Sequence, residues 1–371
     1  MRIREAVTRH RSLVEICNFF TSTRLLVLLV GWLSSLVIIK SEFYHNPQSI
    51  VDLFFRWDSG WYLSIVQNGY SYVPGKPSNV AFFPLYPSLV KIFSFGFADV
   101  RITGIVLSNV ALLLAMIYLF RLVKLDYQNT KMPLNSVIFA LIFPASFFFS
   151  IFYAESLFLF LTVACFYYAR KNRWFLSSLF GFFAALTRAL GVFIFIPILI
   201  EYLAPTSFKD LKLGKIKKDI LCLLLIPAGL LTYMTYLYIR FNEPLAFLKA
   251  ETAWSRVFAP GLLTLQSLFS YDPFYRFTFL GFVALSILML VFLIYSKVRI
   301  SYIVYTAVEL FFILSSSLLE SLPRYVGVLF PMYIGFAIMA RNRFWEETLK
   351  MLSVSLLTLF VILFVNGYWL T

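Results

Sequence analysis

Charge is what this sequence has least of. Asp, Glu, Lys and Arg make up 13% of its 371 residues, about half of the roughly 25% found in a soluble domain. The deficit runs the whole length, which excludes the two or three soluble domains that such a chain could otherwise form. Histidine is nearly absent. His10 and His45 are the only two, and neither falls in an apolar run, so intramembrane histidine chemistry and a Cys/His zinc site are excluded. The three cysteines, Cys17, Cys165 and Cys222, lack metal-ligand spacing and lie in or beside apolar runs, so they read as structural. Neither a P-loop lysine motif nor a Gly-rich dinucleotide fingerprint occurs, which leaves a nucleotide-driven pump or nucleotide-sugar site without support. Inverted repeats of the transporter kind and low-complexity segments are missing too.

What is abundant is apolar sequence. Hydrophobic residues make up 61% of the chain and mean hydropathy is +0.83. A transmembrane helix needs about 20 mostly apolar residues, or about 17 if short. Runs at 25–41, 102–122, 135–152, 156–170, 174–187, 191–204, 220–240, 276–296, 301–319, 325–340 and 350–370 predict about eleven spans. The expectation is an all-α, polytopic transmembrane bundle, one module over 1–371. No small-residue cleavage site follows the run at 25–41, so it is expected to be a retained span rather than a signal peptide. Net charge is +14, but the basic residues sit in short loops between apolar runs. That is the positive-inside pattern, and it points to membrane lipids rather than nucleic acid.

The stretch 82–98 is apolar but holds Pro84, Pro87 and Lys91. If it lies along the outer surface, the clusters at 2–24, 121–131, 170–173, 209–218, 297–299 and 341–350 all face inward, about two thirds of all Lys and Arg. If it crosses, two of those clusters move outside. The surface reading therefore holds. It places outward a long loop at 42–101, a loop at 241–275, and tight turns at 153–155, 187–189 and 321–324.

The chemistry-bearing residues fall in those outward segments. Asn46-Pro47 starts and Asn68-Gly69 stops an amphipathic helix over about 47–68. Its apolar stripe is Ile50, Phe54, Trp57, Trp61 and Ile65, with Arg56, Ser59 and Leu63 opposite; such a helix lies in the membrane interface. Asp58 sits at the edge of the stripe among aromatic rings, where a carboxylate suits base chemistry; the plainer alternative is an interfacial Asp paired with an Arg. Glu155 lies at an outer turn, as a second acid or as first-turn support of the next helix. Arg188 and Arg324 are outward cations against the positive-inside bias. Each can fork onto phosphate or snorkel to head groups. Lys249, Glu251 and Arg256 are weaker candidates, because solvated charge is the default in a loop. Glu309 falls inside a predicted span, where an acid is functional by default or is held by Ser or Tyr of a neighbouring helix.

Taken together, Phe55-Arg56-Trp57-Asp58-Ser59-Gly60-Trp61-Tyr62, Asn68-Gly69-Tyr70 and Phe82-Phe83-Pro84-Leu85-Tyr86-Pro87 resemble the PIG-V family of mannosyltransferases. Pro144 to Ser150, Tyr153-Ala154-Glu155-Ser156, Leu186-Thr187-Arg188 and Pro323-Arg324-Tyr325 extend the likeness over roughly 50–340. The resemblance implies a GT-C type fold and transfer of a hexose, mannose first, from a polyprenyl-phosphate donor to a lipid- or glycan-linked acceptor. It implies Asp58 as the catalytic acid position and Glu155 as the second acid. Arg188 and Arg324 would hold the donor phosphate, and Trp57, Trp61, Tyr62, Tyr86 and Tyr325, all inside the matching motifs, would contact substrate. A divalent metal at Glu155 stays open. The site would be extracytoplasmic, in a plasma membrane if the chain is prokaryotic and in the endoplasmic reticulum if eukaryotic. The rival from another class is a lipid or solute transporter without transferase activity, which predicts ionisable residues along a mid-membrane path.

Overall fold

The computed structural model describes residues 2–42, 47, 49–95, 99–128, 130–203, 217–259, 266 and 268–368, with side chains from residue 11 onward. His45, the expected helix start at Asn46 and most of the basic loop at 209–218 lie outside these residues. The architecture is all-helical. Among the described residues the sole extended pairing is one bridge, Phe258 to Ser316.

The chain opens with α1 (Arg2–Val37), followed by three short helices, α2 (Ile50–Leu53), α3 (Ser59–Asn68) and α4 (Leu85–Ser94). Next come α5 (Val100–Asp126), α6 (Met132–Ile142), α7 (Glu155–Arg170), α8 (Trp174–Ala185), α9 (Phe195–Leu203), α10 (Leu225–Phe241) and α11 (Ala246–Ala253). The last five are α12 (Pro273–Tyr295), α13 (Ile300–Leu314), α14 (Leu322–Gly327), α15 (Pro331–Met339) and α16 (Arg343–Val365). Starts and stops follow local chemistry. The Asp99 side chain accepts from the Arg101 amide at 2.8 Å to cap α5, and Gly69, at φ +77°, ends α3 where a side chain would be strained.

Among the described residues, five helical stretches are long and apolar enough to cross a bilayer: Arg11–Val37, Val100–Asp126, Lys218–Phe241, Pro273–Tyr295 and Arg343–Val365. Only 22–39% of the most apolar part of each is buried within the protein. Apolar side chains turned outward along that length need lipid for solvent, so the chain is an integral membrane protein. The other expected spans are shorter helices, several lengthened by 3₁₀ turns. Residues 135–152, for example, do not form one helix. Helix α6 stops at Ile142, because Pro144 pushes Phe143 to ψ 140°. A buried 3₁₀ turn over Ser146–Ser150 follows. The expected span 325–340 is likewise divided, into α14 and α15, with Pro331, which has no N–H to donate, as the first residue of α15.

Irregular backbone inside a bundle needs hydrogen-bond partners. Arg24 supplies them. Its guanidinium donates to the carbonyls of Leu141 at 2.6 Å and Ser146 at 2.9 Å, and to the Ser150 hydroxyl at 3.0 Å. Arg24 therefore does not belong with the inner basic cluster to which the sequence reading assigned it; it is buried in the bundle. The segment that it braces, Phe147 to Ala154, is wholly buried apart from Ser150 and leads straight to Glu155.

The core runs from α5 onto α7, α7 onto α8 and α8 onto α10, with α6 against α15 and α1 against α16. The α8–α10 contact is close because Gly229 lets the α10 backbone approach the Phe182 carbonyl; a Cβ there would sit 2.3 Å from it. Stretch 82–98 contributes α4, 10 residues long, about 15 Å at 1.5 Å per residue and half a bilayer core. It does not cross.

At one end of the bundle, four helices are tied by charge. Glu201 of α9 accepts from both Nε and Nη2 of Arg299, the shortest contact at 2.6 Å, and from Ser301 of α13 at 2.6 Å. Arg170 of α7 reaches Asp126 of α5 at 2.7 Å and Glu201 at 3.4 Å. Removing one member leaves an uncompensated buried charge, which costs about 3–5 kcal/mol. Glu201→Gln is expected to lower the unfolding temperature in detergent while leaving substrate affinity unchanged in the surviving protein. An unaltered melting point would refute a clamp at this end.

Candidate active site

The opposite end of α7, about 24 Å away over its 16 residues, carries the residues singled out from the sequence. The expected helix over 47–68 is broken. Helix α2 ends at Leu53, α3 begins at Ser59, and Trp57 between them is left-handed at φ +53°. Such a conformation costs a bulky residue of the order of 1–3 kcal/mol and persists only when its surroundings enforce it. Here Tyr153 enforces it: its hydroxyl donates to the Arg56 carbonyl and accepts from the Asp58 amide, both at 3.1 Å. Arg101 fastens α2 by pairing with Asp52 at 2.5 Å and Asp99 at 2.6 Å. One consequence reverses an expectation. Arg56 and Ser59, placed on the water-facing side of a continuous helix, are both buried.

With the helix broken, Asp58 sits at the start of α3 without a side-chain capping bond. Its carboxylate turns to Arg324, at 2.6 Å. The same Arg324 nitrogen lies 3.5 Å from Glu155, and Arg188 meets Glu155 at 2.7 Å. Four residues from four segments thus form one ladder, Asp58–Arg324–Glu155–Arg188. Glu155 is the first residue of α7 and Arg188 precedes a 3₁₀ turn, while Arg324 lies on α14. Glu155 and Arg324 are buried, and Glu155 Oε2 and Arg324 Nε have no hydrogen-bond partner among the described residues. Burying such atoms costs about 1–3 kcal/mol each, a cost characteristic of functional sites.

The ladder opens on a cavity of about 890 Å³, within the size range of small-molecule sites. Trp57, Trp61, Tyr62 and Tyr325 line it alongside the four ladder residues. Trp61 stacks on Phe82 with ring centroids 6.0 Å apart and meets the edge of Trp254 at 5.4 Å, so the aromatic wall is rigid. Tyr86 departs from expectation: it is fully buried, its hydroxyl is shared between the Gly104 carbonyl at 3.0 Å and Ser108 at 2.9 Å, and it is not on the wall. It supports Tyr62, 5.2 Å away, from behind.

Two residues ranked low as loop charge turn out to face the cavity. Glu251 lies in the last turn of α11 and Arg256 follows the helix. Burial raises the Glu251 carboxyl above its ordinary range, with Arg256 opposing. A hint was legible in Trp254 between them, a large apolar ring out of place on a solvated loop. Lys249 points elsewhere and pairs with Glu243. Glu309 is buried on α13 with neither carboxylate oxygen hydrogen-bonded among the described residues; it does not line the cavity. Among the described residues no group of three or more His, Cys, Asp and Glu stands together. Between Asp58 and Glu155, where a divalent ion would bridge the two acids, the Arg324 guanidinium lies instead.

A family model described as mannosyltransferase (PIG-V) matches residues 13–271, well over half the chain. No curated protein matches. Among solved structures, ArnT from Cupriavidus metallidurans bound to undecaprenyl phosphate aligns at TM-score 0.51 and 11% identity, over 94% of this chain and 76% of that one. The Archaeoglobus fulgidus oligosaccharyltransferase in the apo form aligns at TM-score 0.50 and 10% identity. That alignment covers 95% of this chain and 56% of the other, so this chain spans little over half the length of that enzyme. At these identities the likeness is one of fold, the GT-C glycosyltransferase fold.

Proposed function

The chain belongs to the mannosyltransferase (PIG-V) family, and from that premise we propose that it moves a hexose, mannose, from a polyprenyl-phosphate donor to a lipid- or glycan-linked acceptor at the extracytoplasmic face. It acts as one module. The observation that carries this reading is the ladder of two acids and two arginines on the wall of one aromatic cavity. The structural relative bound to undecaprenyl phosphate supports the donor class. The gathering of the outward-facing candidates at a single end supports the side.

In this reading the acceptor hydroxyl enters beside Asp58, which takes its proton as general base. The acceptor oxygen bonds to the sugar C1 as the bond from C1 to the phosphate oxygen breaks, with inversion. Positive charge develops on the sugar in the transition state, and the carboxylates of Asp58 and Glu155 oppose it. Arg324 fixes the position of Asp58, Glu155 fixes Arg324 and Arg188, and the two arginines face the donor phosphate. Trp57, Trp61, Tyr62 and Tyr325 offer ring faces to the sugar. The test is incorporation of labelled mannose from polyprenyl-phosphate-mannose by membranes that contain the protein. A preparation that moves intact lipid or solute across liposomes and transfers no sugar would favour a transporter instead.

Because a guanidinium already bridges the two acids, transfer is expected to persist after exhaustive treatment with EDTA. Loss of turnover that Mg²⁺ or Mn²⁺ restores would show that a metal displaces Arg324 during the reaction.

A further inference from the structure

Three guanidiniums surround one ring. Arg188, Arg324 and Arg256 lie 4.6, 5.2 and 5.9 Å from the centre of Tyr325, and all three line the cavity. They differ in what balances them. Arg188 is paired with Glu155, and Arg324 with Asp58 and Glu155. Arg256 has only neutral acceptors: the Tyr325 hydroxyl at 2.8 Å, the Ser321 hydroxyl at 3.1 Å and the Glu320 carbonyl at 3.4 Å. Among the described residues no carboxylate lies within ion-pair distance of it. Among the described residues, the cavity therefore holds one guanidinium that no carboxylate pairs directly; Glu251 and Glu320, which also line it, act on Arg256 only from beyond ion-pair distance.

The proposed reaction creates a need for that charge. In the donor, phosphate is a diester with one negative charge. When the C1–O bond breaks, its electron pair stays on the phosphate oxygen, and the product is a monoester that approaches two negative charges, its second pKa being about 6. The added charge appears during bond breaking, so a fixed cation that meets it lowers the barrier rather than tightening the ground state. Arg188 and Arg324 enter the reaction already matched by carboxylates. We infer that Arg256 is the catalytic residue that receives the departing phosphate, held ready by the Tyr325 and Ser321 hydroxyls.

Glu251 faces the same space without pairing with Arg256. It lies beyond ion-pair distance, so its carboxylate is not bonded to the guanidinium that would meet the phosphate. The inference rests on the donor reading above. It adds that phosphate binding is divided between two arginines that also order the acids and one that does not.

The test uses the full-length protein in lipid nanodiscs, with polyprenyl-phosphate-mannose as donor and polyprenyl phosphate as product, at pH 8, where the product is a dianion. Arg256→Gln is expected to lower kcat about 100-fold with the donor KM within about threefold. It is expected to bind polyprenyl phosphate at least about tenfold more weakly while donor affinity stays within about threefold. Arg256→Lys should recover part of both, since one ammonium restores the charge but not the fork. Should the Gln variant fail to stay monodisperse, the ratio of product to donor affinity in Arg256→Lys carries the same comparison and should fall. Equal weakening of donor and product would overturn the leaving-group role, as would unchanged turnover. Polyprenyl phosphate bound through Arg256 by a protein that transfers no mannose would overturn the transferase reading and leave the phosphate assignment standing. Wild-type transfer that is indifferent to Arg256 would do the reverse.

Discussion

Asp58→Asn is expected to cut mannose transfer about a thousandfold, within the range of a lost general base, and to leave a folded protein in the membrane. The structure separates these two effects. Asp58 occupies the helix-start position of α3, where a lost cap costs about 1 kcal/mol, yet its side chain makes no capping bond. Its backbone is held by the Tyr153 hydroxyl whatever the side chain. Asparagine keeps the volume and removes the negative charge and the proton acceptor. Arg324 keeps its second partner, Glu155. The loss should fall on kcat, with size-exclusion profile and melting temperature near those of the wild type. Asp58→Glu should retain part of the activity, because the carboxylate survives but moves by a methylene. Turnover within tenfold of wild type in Asp58→Asn would remove this residue from the base role and turn attention to Glu251, a further cavity acid that makes no ion pair among the described residues.

Glu155→Gln should behave differently, losing stability as well as activity. Glu155 is buried at 1% exposure and holds Arg188 at 2.7 Å and Arg324 at 3.5 Å. The substitution leaves Arg188, only 14% exposed, without its carboxylate. Breaking such a pair from one side costs about 3–5 kcal/mol, a large part of the 5–15 kcal/mol that holds a typical protein together. A clear fall in melting temperature is therefore expected, along with lost transfer. Glu155→Gln combined with Arg188→Gln removes both charges, and should recover much of the stability and none of the activity. If the single variant melts with the wild type, the pair is not structural. If the double variant transfers mannose, neither residue belongs to the mechanism.

The candidate residues were legible for an energetic reason. In a chain with so few charges, each ionisable group among apolar runs is expensive, so Asp58, Glu155, Arg188 and Arg324 stood out singly. Their pairing was not legible. Arg188 and Glu155 are 33 residues apart, and the partner of Asp58 lies near the other end of the chain. Periodicity carries no information about contacts over such separations. Of the alternatives weighed for each residue, the structure shows the pairing, Asp58 with Arg324 and Arg188 with Glu155, with all four on the cavity wall.

Where the sequence reading failed, a tertiary contact overrode a local rule. The stripe over 50–65 has helical spacing, yet the Tyr153 hydroxyl makes a left-handed turn at Trp57 worth its strain. Arg24 looked cytoplasmic because it closes a basic cluster, yet the broken end of α6 offers it three acceptors. Glu251 and Arg256 looked solvated because loops usually are, yet α11 and the residues after it fold over the cavity. Tyr86 sits in a matching motif, yet Gly104 and Ser108 claim its hydroxyl. From sequence alone came the membrane as solvent, the helical class and the four charged residues, since hydropathy, charge and turn chemistry act over a few residues. The ladder, the bent helix start at Asp58 and the unbalanced guanidinium of Arg256 came only from tertiary structure, since each depends on which distant group lies within a few ångströms, and that is settled by packing.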